Sequence, residues 1–190
     1  MIELLGLSGS LRAASTNSAL LAALALNAPP ACRLTVHDGL GRLPIFNPDD
    51  EGGRTPSEVR RLIEAVSRAD GLVISCPEYA HGVPGGLKNA LDWLVSTDAA
   101  VGKPAMLVHA SSRSAISRAA LGEVLRTMSF DLMPPPALEI GLLGKKGGDR
   151  LVKIEKSTTE EEKSGPMSKM AESVRKGAGG LVRDETMEHY

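Results

Sequence analysis

Two stretches of the chain hold most of the residues able to do chemistry. The first is Ser8-Gly-Ser-Leu-Arg-Ala-Ala-Ser-Thr-Asn-Ser18. It follows an apolar run from Ile2 to Leu7 and precedes Leu20, Leu21 and Leu24, which share one helical face. Ser10, Ser15, Thr16, Asn17 and Ser18 supply hydroxyl and amide donors, and Arg12 supplies a positive charge. A loop that opens into a helix also offers unpaired N–H groups and the positive end of a dipole, so the chemistry suits phosphate. An ordinary helix cap with solvated serines is the plainer alternative. Neither G-x-G-x-x-G nor the P-loop pattern is present in the stretch.

The second stretch runs from Ser75 to Leu94. An apolar run, Gly71 to Ser75, reads as a buried strand that stops at Pro77. A loop with Gly82, Gly85, Gly86 and two prolines follows, longer than most connections in α/β units. Leu87, Ala90, Leu91 and Leu94 then fall on one helical face. Glycines let the backbone approach a ligand closely, loop N–H groups can bond ring carbonyls, and Tyr79 can pack on a flat ring. His81 is a weak candidate acid beside the commoner reading of a solvated histidine. Trp93, on the helix, reads as core.

Around these loops, strand and helix patterns alternate about five times. Strands are expected at 2–7, 33–37, 71–76 and 105–109, with an edge strand near 137–142 after three prolines. Helices are expected after residue 17, from the Thr55-Pro-Ser-Glu58 capping box, over 86–97, around Leu121 to Met128, and over about 166–176. Such alternation implies an α/β fold, a doubly wound five-stranded parallel sheet. With the order 2-1-3-4-5, ligands bind where strands 1 and 3 part. The two unusual loops follow those strands, and a third polar loop, Ala110 to Ser114, follows strand 4. Residues 1–143 form the expected domain; 144–190 is a charged segment with one helix and partly disordered stretches.

The chain has 190 residues, a net charge of −1, 42% apolar and 24% charged residues. That balance fits one soluble domain and gives no attraction to nucleic acid or an anionic membrane. No apolar run approaches a membrane span, and the start lacks a secretory pattern, so a cytoplasmic protein is expected. Cys32 and Cys76 are isolated and form no metal set.

These motifs resemble the NADPH-dependent FMN reductase family, which includes flavodoxin-like quinone and chromate reductases. The resemblance rests on Gly9-Ser-Leu-Arg-x-x-Ser-x-Asn17, and more on Pro77-Glu-Tyr79 followed by Pro84-Gly-x-Leu-Lys-Asn-Ala-x-Asp-Trp93. It covers roughly residues 1–140. It implies FMN and NADPH as cofactors, with the phosphate held by Ser10, Arg12, Ser15, Thr16, Asn17 and Ser18. It places the isoalloxazine edge at Pro77, Glu78, Tyr79, Ala80, His81 and Gly82, and Ser111 and Ser112 beside the ring. Where the family usually has asparagine after the tyrosine this chain has Ala80, so only backbone contacts remain there. Where the family often has glycines after strand 4, it has Ser111-Ser-Arg-Ser114.

The implied activity is NAD(P)H-dependent reduction of quinones, nitro or azo compounds, metal oxyanions or free flavin. The flavin carries the chemistry, and no side chain need be catalytic. Backbone N–H groups at 79–82 are expected to stabilise negative charge on the reduced ring, and Arg113 and Arg118 are available for a 2′-phosphate. A homodimer or homotetramer is implied. The alternatives are a flavin-binding or electron-transfer module without turnover, and an interaction protein using the fold without cofactor.

Overall fold

The structure, a computed structural model, describes residues 1–111, 114–134, 138–140 and 165–180. Strands and helices alternate along the chain: β1 (Ile2–Ser8), α1 (Thr16–Leu26), β2 (Cys32–Val36), α2 (Ser57–Arg68), β3 (Gly71–Ser75), α3 (Gly85–Asp92), β4 (Pro104–His109), α4 (Ala115–Thr127), β5 (Asp131–Leu132), β6 (Leu138–Glu139) and α5 (Pro166–Gly180). These strands all pair in parallel, in the order β2-β1-β3-β4-β5. The expected order therefore holds. The fifth position is shared: β5 pairs with the start of β4 at Pro104 and Ala105, and β6 with its end at Val108 and His109. Of the edge strand expected at 137–142, Leu138 and Glu139 are seen; 137, 141 and 142 lie outside the described residues.

The burial of each strand follows its place in the sheet. Every residue of β3 and β4 is buried, because central parallel strands are covered on both faces. β2, at the edge, alternates. Successive side chains of a strand leave on opposite faces, and this divides the interior in two. Leu5, Leu7, Leu72, Ile74 and Leu107 pack with residues of α2, α3 and α4. Leu4, Val73, Met106 and Val108 pack with Leu20, Leu21 and Leu24 of α1 and with Met167 and Met170 of α5. The methionine stripe in the C-terminal segment thus closes one face of the sheet. Fit is tight there: a Cβ on Gly71 would lie 2.3 Å from Met170 Cε and 3.1 Å from the Pro104 carbonyl oxygen.

Two local expectations need correction. The capping box at Thr55 does not form. Pro56 is the N-cap residue, α2 starts at Ser57, and the Thr55 hydroxyl donates instead to the Gly52 carbonyl at 2.9 Å. Glu58 is drawn to Arg42 and Arg61 rather than back to the chain. Helix α3 is also shorter than 86–97; it ends at Asp92 and turns follow. Trp93, just past that end, is buried, lies edge-on to Phe46 at 5.0 Å, and donates its indole N–H to the Pro44 carbonyl at 2.9 Å. Asn89 holds the same segment, accepting from the Phe46 N–H and donating to Pro44. The long excursion between β2 and α2 is thereby clipped against α3.

Candidate active site at the parting of β1 and β3

β1 and β3 run side by side with Ser8 opposite Ser75. The chain leaves β1 toward β2 on one side and returns to β3 on the other, so a crevice opens beyond their C-terminal ends. Gly9 crosses it at close quarters. Its N–H donates to the Ser75 carbonyl at 2.8 Å, and a Cβ there would stand 3.1 Å from Pro77 Cδ and 3.2 Å from Leu87 Cδ2.

A cavity of about 310 Å³ occupies this position. It is walled by Ser10, Arg12 and Ala14 of the first loop and by Ser15, Thr16 and Asn17 at the start of α1. The loop after β3 adds Pro77, Glu78 and Tyr79, and the loop after β4 adds Ala110, Ser111 and Ser114. All three unusual loops therefore meet on one space. Ser18 does not line it; its hydroxyl is paired with Ser8 Oγ at 2.9 Å. Ala80, His81 and Gly82 stand outside its lining, and Ser112 and Arg113 lie outside the described residues. Ala14 and Ala110 carry no side-chain chemistry, so nothing in their types singles them out in the sequence.

The first loop ends as a helix cap with donors to spare. Ser15 Oγ accepts from the Ser18 N–H at 3.2 Å. That leaves the N–H groups of Thr16 and Asn17, at the first helical positions, without an intrahelical acceptor. Asn17 is buried, and its Oδ1 accepts from Ser75 Oγ at 2.9 Å. Its amide nitrogen is then what it can offer the cavity. Arg12 is exposed and has no ion-pair partner among the described residues. The donor set is thus cationic and rich in N–H, as a phosphate needs.

The loop after β3 folds into a two-residue turn. Tyr79 N–H donates to the Gly82 carbonyl at 3.2 Å, and Gly82 N–H to the Tyr79 carbonyl at 2.9 Å. Ala80 and His81 both adopt positive φ, +48° and +58°, the conformation of a type I′ turn that asparagine and glycine prefer. Two of the four N–H groups expected to serve a ligand are consequently spent inside the turn; those of Ala80 and His81 are not. The Tyr79 hydroxyl approaches Ser10 Oγ to 3.5 Å across the cavity.

Glu78 has a role its sequence position does not reveal. One carboxylate oxygen accepts from the Ile116 N–H at 3.1 Å and the Ser117 N–H at 3.0 Å, and the other meets His81 Nδ1 at 3.0 Å. The bond from Ser117, followed by the histidine and Ile116, holds its carboxyl below the ordinary range despite some desolvation. The first turn of α4 is therefore already supplied with an anion, while the first turn of α1 is open.

The one thiol among the described residues beside the cavity is not activated. Burial pushes the Cys76 thiol up to about 12, so it stays protonated and inert. Arg118, expected to be available for a 2′-phosphate, is half-buried and pairs with Glu139 at 2.8 Å.

Residues 2–140 match the family model described as NADPH-dependent FMN reductase. A quinone reductase of Escherichia coli strain K12 is 29% identical over 184 residues, covering 92% of this chain and 96% of that protein. A 2-hydroxy-1,4-benzoquinone reductase of a Burkholderia species is 35% identical over 138 residues, covering 70% of this chain and 74% of that protein. Among solved structures, the flavoenzyme NAD(P)H:(acceptor) oxidoreductase FerB of Paracoccus denitrificans superposes with a TM-score of 0.73 at 24% identity, covering 94% of this chain and 98% of that one. That last likeness establishes the shared fold.

Proposed function

This chain belongs to the NADPH-dependent FMN reductase family, and on that premise we propose that it is an NAD(P)H-dependent FMN oxidoreductase acting on quinones and related acceptors. The observation that carries the reading is the polarity of the cavity. An open helix N-terminus, Arg12 and the Asn17 amide line it from the first loop and α1, and the Pro77–Tyr79 loop with its aromatic ring lines it from β3. A phosphorylated, planar ligand fits that asymmetry, with phosphate toward Ser10, Arg12, Ser15, Thr16 and Asn17, and the ring toward Pro77, Glu78, Tyr79 and Ser111.

Bound FMN supplies the redox chemistry, passing two electrons from a reduced nicotinamide to the acceptor. The protein's part is to bind, orient and set the field. Arg12 and the α1 N-terminus neutralise the phosphate. Tyr79 borders the ring site, next to the turn whose Ala80 and His81 N–H groups are not spent in its own hydrogen bonds. Ser18 supports the phosphate end indirectly, by fixing Ser8. The acceptor class comes from the relatives, whose names specify quinones.

Further features of the reading rest on the same ground. A homodimer is favoured by Leu11, Tyr79 and Ile116, large apolar side chains left exposed on elements that wall the cavity. No helix among the described residues is long and apolar enough to cross a membrane, and a cytoplasmic location is the simplest setting for a nicotinamide-dependent enzyme. Residues 1–140 and α5 act as one folding unit, because Met167 and Met170 complete the core of the sheet.

The test is turnover. Purified protein supplied with FMN should oxidise NADPH in the presence of a simple benzoquinone. Protein that holds FMN but never oxidises either nicotinamide is an electron-transfer module instead, and protein that ignores FMN ends the reading.

A further inference from the structure

We propose that Glu78 is a positioning residue, which bolts the Tyr79–Gly82 turn to the first turn of α4 and so sets the Tyr79 ring at the cavity wall, without itself bonding the flavin. This deepens the flavin reading above and rests on it. Both carboxylate oxygens are already engaged by protein: one by two backbone N–H groups of α4, the other by the His81 ring. A ligand that claimed either oxygen would have to uncap α4.

The bolt also spans two loops of the site. Glu78 and Ser117 are 39 residues apart, and their bond joins the loop after β3 to the helix after β4. Those two loops both line the cavity: Pro77 and Tyr79 from one, Ala110, Ser111 and Ser114 from the other. Strain gives the bolt something to hold. Ala80 and His81 keep positive φ without being glycine, a conformation that persists only when neighbours enforce it. The turn's own two hydrogen bonds close the loop, and Glu78 fixes it from both sides, through His81 at the tip and through α4 at the base. Removing the bolt frees the turn to relax, and the Tyr79 ring moves with it.

The experiment compares Glu78→Gln with Glu78→Asp in the full chain, reading FMN dissociation constant and fluorescence of bound FMN. Glutamine keeps the length and an oxygen for the two α4 N–H groups but loses the charge. Aspartate keeps the charge but is one methylene too short to span. Positioning predicts that Glu78→Gln stays within about threefold of the parent in affinity, while Glu78→Asp loses about tenfold. The aspartate variant should also show brighter bound flavin, because an aromatic ring displaced from the flavin no longer quenches it. An aspartate variant equal to the parent, or a glutamine variant as impaired as the aspartate one, overturns the inference. Parent protein that binds no FMN overturns the flavin reading itself, a result distinguishable from either.

Discussion

Ser75 and Asn17, 58 residues apart, meet through a 2.9 Å hydrogen bond from the serine hydroxyl to the asparagine carbonyl oxygen, with both residues buried. The bond ties the end of β3 to the first turn of α1, across the line where the sheet's connections diverge. It also decides what Asn17 has left: an amide nitrogen toward the cavity. One residue can therefore serve the fold with one atom and, in the proposed function, the site with another.

That division predicts opposite outcomes for two substitutions. Asn17→Ala leaves the Ser75 hydroxyl buried without a partner and should cost about 1–3 kcal/mol of stability. Asn17→Asp keeps the oxygen for Ser75 but sets a carboxylate at the phosphate end. It should fold at nearly parental stability yet lose at least about tenfold in FMN affinity, with riboflavin affinity much less affected. Chemical denaturation and flavin titration of the two variants check the pair.

The turn at Ala80 stores strain that a different side chain would relieve. A left-handed backbone costs an ordinary L-residue about 1–2 kcal/mol, and asparagine tolerates it by local hydrogen bonding. Ala80→Asn should therefore raise stability by about 0.5–1 kcal/mol, read as a higher thermal midpoint. An unchanged or lower midpoint would mean that the turn is not strained as its φ angles imply.

Helix α5 belongs to the core, since Met170 is fully buried against the sheet. Met170→Ala should then cost about 2–5 kcal/mol, as for other large-to-small core changes. A change below about 0.5 kcal/mol, the range of surface substitutions, would show that the C-terminal helix does not close that face in solution.

Acid should weaken the fold through His109. Burial pushes its imidazole down to about 4 from an ordinary 6.5, with Arg118 adding to the shift and Glu139 opposing it. The unfolded chain therefore takes up the proton first as pH falls. Full stability holds above about pH 6.5 and is lost as pH approaches 4, by on the order of 3 kcal/mol. Glu78, held below the usual carboxylate range, adds a loss at still lower pH. Urea midpoints between about pH 7 and about pH 4.5 should fall for the parent and flatten for His109→Gln.

What the sequence reveals and what it hides divide along physical lines. Periodicity exposes β1 to β4, the helices and the three special loops, because each depends on neighbours a few residues away, whereas the two-residue β5 at Asp131–Leu132 is too short to carry a pattern. The burial of Trp93 is legible for the same reason. The clamp from Glu78 to Ile116 and Ser117 is not, since a carboxylate near Pro77 carries no mark of a helix 38 residues on. The ion pair of Arg118 with Glu139, on another element, is equally invisible in the sequence. Thr55 fails differently. The local pattern of a capping box is complete, but the bond to Gly52 wins the hydroxyl. The C-terminal helix is expected from the sequence, while the face that receives its Met167 and Met170 is a property of the assembled sheet.

At the centre of the proposed function stands a cradle at the start of α1 that would hold a planar ring by its phosphate. The most direct measurement is calorimetric titration of flavin-free protein with FMN and with riboflavin, repeated for Arg12→Ala. FMN should bind the parent at least about tenfold more tightly than riboflavin does, and Arg12→Ala should cost FMN about 1.5–3 kcal/mol, as for a charged hydrogen bond, while sparing riboflavin. Equal affinity for the two flavins, or an equal loss for both in Arg12→Ala, would contradict the cradle.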